Sequence, residues 1–270
     1  MNLNNKTLYR IANIVTKIAQ EAGKILIQHF RTDNFIYIQK PGKANIATNV
    51  DLLVQHFIIE NLLQNFPTIS ILAEESDENQ ATKNKLCFLV DPLDGTLNFV
   101  HGLPFFAVSI ALVKESKPVV GVVHAPILEE TFTAIMNHGA FMNGQKLQCS
   151  KNISWENALG VTGWPYDPDF ILWTQKILLL MQQKIQEVRI LGTAALEMCY
   201  VAAGIIDIYW EVGLKPWDLA AGSLIVSEAG GIVSDITGRA FDLFSGRVLA
   251  CRSKQLFRYA LKLLNSLDCK

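Results

Sequence analysis

Acidic side chains border apolar runs at three places in the chain, following two of them and heading the third. Glu74-Glu75 follows the run 69–73, and Asp91 and Asp94 follow 86–90 within Asp91-Pro92-Leu93-Asp94-Gly95-Thr96. Asp218 sits beside Trp217 at the head of the apolar stretch Trp217-Asp218-Leu219-Ala220-Ala221-Gly222. Carboxylates that emerge from buried elements are partly desolvated, and when gathered they repel unless a cation or protons neutralise them. Oxygen donors without a His or Cys cluster suit a hard cation, Mg²⁺ before Zn²⁺. Pro92 is expected to fix a turn between the two aspartates, leaving the Leu93 carbonyl as a third oxygen ligand. Gly95-Thr96 offers backbone N–H groups able to hold an anion, and a phosphate would bridge to the metal.

Each piece also has a plainer reading. Glu74-Glu75 with Asp77 and Glu78 reads as a solvated acidic loop, and Asp218 as a helix N-cap. Asp91 and Asp94 suit a turn through side-chain bonds to their own backbone. Asp51 suits a cap of the second helix, with Thr48 as its rival.

The elements that would position these groups follow from periodicity. Leu8, Ile11, Val15, Ile18, Ala22, Ile25 and Phe30 form one stripe of a long first helix. Residues 40–48 read as a loop or short hairpin, and 51–65 as a second helix stopped by Pro67. Short apolar runs at 69–73, 86–90, 107–113, 119–124 and 131–136 read as strands of a mostly antiparallel sheet, with Asn143-Gly144 marking a tight hairpin turn. The second half alternates: strands at 159–162, 188–191, 206–210, 232–235 and 248–251, helices at 170–183, 193–203, 217–228 and 253–267. Strand-then-helix runs point to a layered α/β architecture with two sheets. With no flexible linker or repeat, 1–150 and 151–270 are expected to be two packed lobes of one compact unit.

Composition narrows the function classes. The 270 residues carry 24 Lys+Arg against 25 Asp+Glu, a net charge of −1, which disfavours nucleic-acid binding through a broad basic surface. Half the chain is hydrophobic and 18% charged, so a sizeable core is expected. No apolar run nears the ~20 residues that span a bilayer. The five cysteines are scattered and never spaced as C-x-x-C, which reads as buried free thiols in a reducing compartment. The N-terminal residues lack the continuous apolar stretch of a secretory signal, so the expectation is cytoplasmic.

At these residues the chain resembles the inositol monophosphatase family, the lithium-sensitive, magnesium-dependent sugar phosphatases. The resemblance rests on Thr48-Asn49-Val50-Asp51, Ile71-Leu72-Ala73-Glu74-Glu75-Ser76 and Asp91-Pro92-Leu93-Asp94-Gly95-Thr96-Leu97-Asn98-Phe99. It continues through Gly192-Thr193-Ala194-Ala195, Glu211, Trp217-Asp218-Leu219-Ala220-Ala221-Gly222 and Glu228-Ala229-Gly230-Gly231, covering about 40–248.

The resemblance implies an αβαβα sandwich and two to three Mg²⁺ ions. Glu74, Asp91 and the Leu93 carbonyl would hold the first, Asp91, Asp94 and Asp218 the second, and Glu74 would help hold a weaker third. Water would attack directly, its proton drawn toward the Thr96 hydroxyl and Asp51, while Gly95 and Thr96 N–H groups bind phosphate oxygens. Asp94, the Ala194 backbone and Glu211 would meet substrate hydroxyls. From its position Glu211 also reads as a strand-end surface charge, and Lys40 as an exposed loop charge or a group near the metal pocket. No histidine is needed: His29, His56, His101, His124 and His138 read as structural.

By the same resemblance, the expected reaction is hydrolysis of a small phosphate monoester, myo-inositol 1-phosphate first, by a homodimer. The alternatives are another ester (fructose 1,6-bisphosphate, a nucleotide 3′-phosphate, histidinol phosphate) or a partner role with the transcription machinery, as some bacterial relatives have. Departures lie around the substrate pocket. Lys215-Pro216 stands where animal enzymes of the family have His-Cys, Leu97 where a polar residue is usual, and Gly163-Trp164-Pro165-Tyr166 is similar to the bacterial branch.

Overall fold

Helix α1 (Asn5–His29) is nucleated by Asn4, whose side chain accepts the Thr7 N–H, and buries the stripe Leu8, Ile11, Val15, Ile18, Ala22 and Leu26. A short antiparallel ribbon, β1 (Tyr37–Gln39) with β2 (Ile46–Thr48), leads into α2 (Asn49–Asn65), which ends just ahead of Pro67. The computed structural model describes residues 3–32, 35–40, 46–76, 86–149 and 153–266. Asp77 and Glu78, part of the 40–48 hairpin, Cys269 and the expected helix end at 267 lie outside these.

The first sheet has seven strands in chain order: β3 (Ser70–Ala73), β4 (Cys87–Asp94), β5 (Ala107–Lys114), β6 (Lys117–Ala125), β7 (Glu130–Ile135), β8 (Gly139–Met142) and β9 (Gln145–Lys146). Only β3 and β4 run parallel. Asn143 and Gly144 both have left-handed backbones in the β8–β9 turn, as the hairpin motif requires. Strand β4 is buried along its whole length, because both sheet faces are covered, and so it reads as an unbroken apolar run rather than an alternation.

The second sheet combines β10 (Leu159–Thr162), β11 (Glu187–Arg189), β12 (Ile208–Val212), β13 (Ile232–Ser234) and β14 (Arg247–Cys251), ordered β11-β10-β12-β14-β13. Its helices are α4 (Pro168–Gln182), α5 (Ala194–Ala202), α6 (Pro216–Glu228) and α7 (Lys254–Leu264), while the short α3 (Thr96–Val100) follows β4.

Three apolar clusters define five layers. α1 and α2 pack on one face of the seven-stranded sheet through Leu26, Val54, Ile58, Phe88, Ile110 and Val122. α5 and α6 fill the space between the two sheets with Leu196, Met198, Leu219, Ile225 and Ala250. α4 and α7 cover the outer face of the second sheet through Ile177, Met181, Trp210 and Leu256. This is the expected αβαβα sandwich. The middle layer is thin because α6 lies against the strand backbone: a Cβ on Gly121 would stand 3.0 Å from the Ala221 Cα. Glu228 works away from the acids, accepting the Asn137 and Gly139 N–H groups at 2.7 Å and so pinning the β7–β8 turn.

Two local expectations are corrected. Pro92 lies in a bulge inside β4, not in a turn: Asp91 pairs with Ser109 and Asp94 with Ala107, one residue more on β4 than on β5. Proline is tolerated there because a bulge releases it from the ladder. Glu211 lies within β12, paired with Val248, and is buried rather than a strand-end surface charge.

Candidate active site

The bulge decides where the aspartates point. In a regular strand, residues three apart face opposite sides. The extra residue rephases β4, so Asp91 and Asp94 oppose Ser109 and Ala107, which are two apart and share a face. Strand β3 delivers Glu74 beside them: its N–H donates to the Val90 carbonyl at 3.0 Å.

Asp218 comes from the N-terminus of α6, where its Oδ2 accepts the Lys215 N–H at 2.8 Å. Burial, then the charges of Glu74, Asp94 and Asp218, push Asp91 well above the usual carboxylate range. Burial, then Glu74 and Asp94, do the same to Asp218. Burial pushes Asp94 up to about 7, against the donors that stabilise its charge. Four acids from three elements, the end of β3, the bulged part of β4 and the start of α6, thus converge.

Asp51 stands in the third position of α2. Its Oδ2 accepts both the Thr48 N–H at 2.8 Å and the Thr48 hydroxyl at 2.5 Å, and Thr48 accepts the Val50 N–H, completing a capping box. The Thr96 hydroxyl lies 2.9 Å from Asp51 Oδ1 and 3.0 Å from the Leu93 carbonyl, so its single proton can serve either. Burial raises the Asp51 carboxyl, against the Thr48 and Thr96 hydrogen bonds. Gly95 takes a left-handed φ of 96° between β4 and α3, a conformation costly to any side chain.

Lys40 reaches the outer edge of the pocket, 2.9 Å from Glu74 and 2.5 Å from Glu75. Burial would lower its pKa, but the two glutamates overcome this and raise it. Gln55 fixes Glu75 by accepting its N–H at 2.9 Å.

The second half closes the pocket. Thr193, the N-cap of α5, donates its hydroxyl to Asp94 Oδ2 at 2.7 Å, and the Ala195 N–H reaches the same oxygen at 2.8 Å. Ala194 lies between them. Glu211 is pushed up to about 7 by burial, with Tyr209 donating its hydroxyl to Oε2 at 2.7 Å. Its carboxylate lies flat over Gly163, where an added Cβ would fall 1.9 Å from Oε1. Tyr166 stands at the rim, raised to about 12 by burial and then by the charges of Asp94, Glu211, Asp218 and Glu74. Thr193, Ala195, Tyr209 and Gly163 escape a reading of acids alone. Gly192-Thr193 did carry a signal, a helix cap after a turn glycine.

The histidines stay out of this chemistry. His124 is half-buried between α1 and β7 against the Thr131 hydroxyl at 2.9 Å, with desolvation lowering its pKa, and His101 is exposed.

The donor set fits a hard cation: carboxylate oxygens and one strand carbonyl, crowded so that each raises its neighbours. Among the described residues no three His, Cys, Asp or Glu side chains stand, as placed, close enough together to hold a metal ion without moving. Glu74 is instead turned to Lys40, an expected posture for acids whose mutual repulsion is partly relieved by a base.

Comparison with known proteins identifies the family. The sequence model of the inositol monophosphatase family matches residues 7–268. The fructose-1,6-bisphosphatase/inositol-1-monophosphatase of Thermotoga maritima is 39% identical over 85% of this chain and 86% of its own length. Nus factor SuhB of Escherichia coli is 36% identical over 90% of this chain and 91% of its own. The crystal structure of extragenic suppressor protein suhB from Bartonella henselae superposes with a TM-score of 0.88 at 35% identity, covering 94% of this chain and 98% of that one. In sequence and in layering, the chain belongs to the inositol monophosphatase family, phosphatases that are generally metal-dependent.

Proposed function

We propose that the pocket hydrolyses a small phosphate monoester, myo-inositol 1-phosphate foremost, with Mg²⁺ and without a covalent enzyme intermediate. The observation that carries this reading is the gathering of Glu74, Asp91, Asp94 and Asp218 from β3, β4 and α6 onto one spot, where burial first and neighbouring acids second raise the three aspartates, so that positive charge placed there would be welcome. Glu74, Asp91, the Leu93 carbonyl, Asp94 and Asp218 would hold two to three Mg²⁺, which supply charge to neutralise the phosphate and make water more acidic.

The protein's own groups do the rest. Gly95 and Thr96 N–H groups hold phosphate oxygens at the β4–α3 turn. Thr96 passes the proton of the attacking water toward Asp51 Oδ1, while Thr48 keeps Oδ2 fixed. Asp94, the Ala194 backbone and Glu211 receive the polyol hydroxyls. Glu211 can lie across the pocket because Gly163 has no side chain.

Purified protein should release phosphate from myo-inositol 1-phosphate with Mg²⁺, stop with a chelator and be inhibited by millimolar Li⁺. Asp94→Asn should fold and be nearly inactive. Turnover that ignores Mg²⁺ removal would sink the reading. Fructose 1,6-bisphosphate, a nucleotide 3′-phosphate and histidinol phosphate complete the panel, and the highest kcat/KM names the substrate.

A second reading is favoured by the relative named as a Nus factor: a partner role with the transcription machinery. Rescue of a deletion phenotype by the inactive Asp94→Asn protein would make binding, not hydrolysis, the cellular role.

A further inference from the structure

Glu197 is fully buried in the first turn of α5, and no step above uses it. Its Oε1 accepts the N–H groups of Leu191 and Gly192, each at 3.0 Å. It does not cap its own helix, since Thr193 already does so by accepting the Leu196 N–H. The bonds of Glu197 go upstream instead, into the turn that carries Thr193. The Leu191 carbonyl in that turn accepts Asn98 Nδ2 at 2.7 Å, tying it to α3. From the turn, Thr193 and Ala195 reach Asp94 Oδ2.

Glu197 Oε2 has no partner although it is sealed from solvent. An orphaned buried oxygen costs stability, and an apolar residue of similar shape would avoid that cost. Burial, then the nearby charges of Glu211 and Asp94, raises the Glu197 carboxyl well above its usual range, favouring the neutral acid. The two N–H groups that Oε1 satisfies offset that cost, so what singles out this glutamate is where its bonds go, into the turn that reaches Asp94.

We propose that Glu197 is a positioning residue: by holding Leu191 and Gly192 it sets Thr193 and Ala195 against Asp94, and so fixes the cation and polyol contacts that Asp94 makes. It rests on Asp94 serving as cation ligand and hydroxyl acceptor, as proposed above. Glutamine keeps one acceptor oxygen for both N–H groups, whereas methionine fills the same space and accepts neither.

The test is Mn²⁺ titration of metal-stripped protein by calorimetry, with thermal melting and phosphate-release kinetics on the same samples. Glu197→Met should weaken Mn²⁺ binding about 10- to 100-fold, the usual scale for residues that orient a metal ligand, and lower kcat/KM in parallel. Glu197→Gln should restore Mn²⁺ affinity to within about threefold of the parent, because its amide oxygen replaces the lost acceptor. A Glu197→Met protein that melts lower yet binds Mn²⁺ like the parent overturns the proposal, since the role is then structural. If Glu197→Met is insoluble, Glu197→Leu takes its place with the same two outcomes, and Glu197→Gln binding Mn²⁺ tenfold more weakly than the parent overturns the proposal. A parent that binds Mn²⁺ but hydrolyses no ester defeats the proposed reaction while leaving the Glu197 comparison readable. A parent that binds no Mn²⁺ defeats both.

Discussion

Two helices begin at the pocket, and each contributes an aspartate from its third position. In α2, Asp51 Oδ2 receives two donors from Thr48 and Oδ1 receives the Thr96 hydroxyl. In α6, Pro216 occupies the first turn, and Asp218 Oδ2 accepts the Lys215 N–H. The same placement on two helices thus gives opposite surroundings. Asp51 is ringed by hydroxyl and amide donors, which suits a carboxylate that receives a proton. Asp218 faces Glu74 and Asp94, which suits a carboxylate waiting for a cation. The neighbours, not the residue type or the helix end, distinguish the two aspartates and fit them to the different roles proposed above.

The largest effect expected is from Asp218→Asn. It should lower kcat/KM by roughly 10²–10³-fold, as when one preorganised electrostatic group is lost, and abolish tight Mn²⁺ binding. Without metal, the same variant should melt higher than the parent at pH 8, because it removes a charge from a like-charged group. A lower melting temperature would break the contrast with Asp51.

Asp51→Asn should come next, lowering kcat by about 10²-fold, the lower range for a lost general base. Its Mn²⁺ affinity by calorimetry should stay near that of the parent. Equal loss of metal binding in both variants would mean that the two aspartates share one role.

The pH dependence sharpens the same point. Asp94 and Glu211 are raised to about 7 in the folded protein, from 3.8 and 4.5. Between those ordinary values and about 7 the folded state binds more protons than the unfolded state, so stability falls as pH rises. The melting temperature of metal-free protein should drop from pH 5 to pH 7.5. Millimolar Mg²⁺ should raise it by an amount that grows with pH, since protons and cation compete for the same oxygens. A melting temperature that rises with pH without metal would contradict the crowding of the acids.

The smallest effect belongs to the capping box: Thr48→Ala should cost about 1 kcal/mol in chemical denaturation, typical of a lost N-cap.

Much of this was legible in the sequence. Acids bordering apolar runs drew attention to Glu74, Asp91, Asp94 and Asp218, which the fold brings together, because burying a carboxylate is costly. Periodicity located the helices to within a few residues. The bulge was not legible, since it exists only in the pairing of β4 with β5, and Pro92 alone fits a turn as well. Glu211 was placed beyond its strand because apolar patterning stops at a charge, whereas Tyr209 and Gly163 make room for that charge inside β12. Thr193 and Ala195 lie about a hundred residues from Asp94 in the chain, a separation that no local pattern bridges.

The shared middle layer also constrains how the molecule is made. The ribosome finishes β9 at Lys146, and 69 residues separate it from Pro216, where α6 begins. Until then the apolar face of the seven-stranded sheet that α6 will cover stands bare to the cell. The nascent protein passes through a sticky, half-clad interval, and its yield depends on how quickly the later segment docks or on what shields the sheet meanwhile.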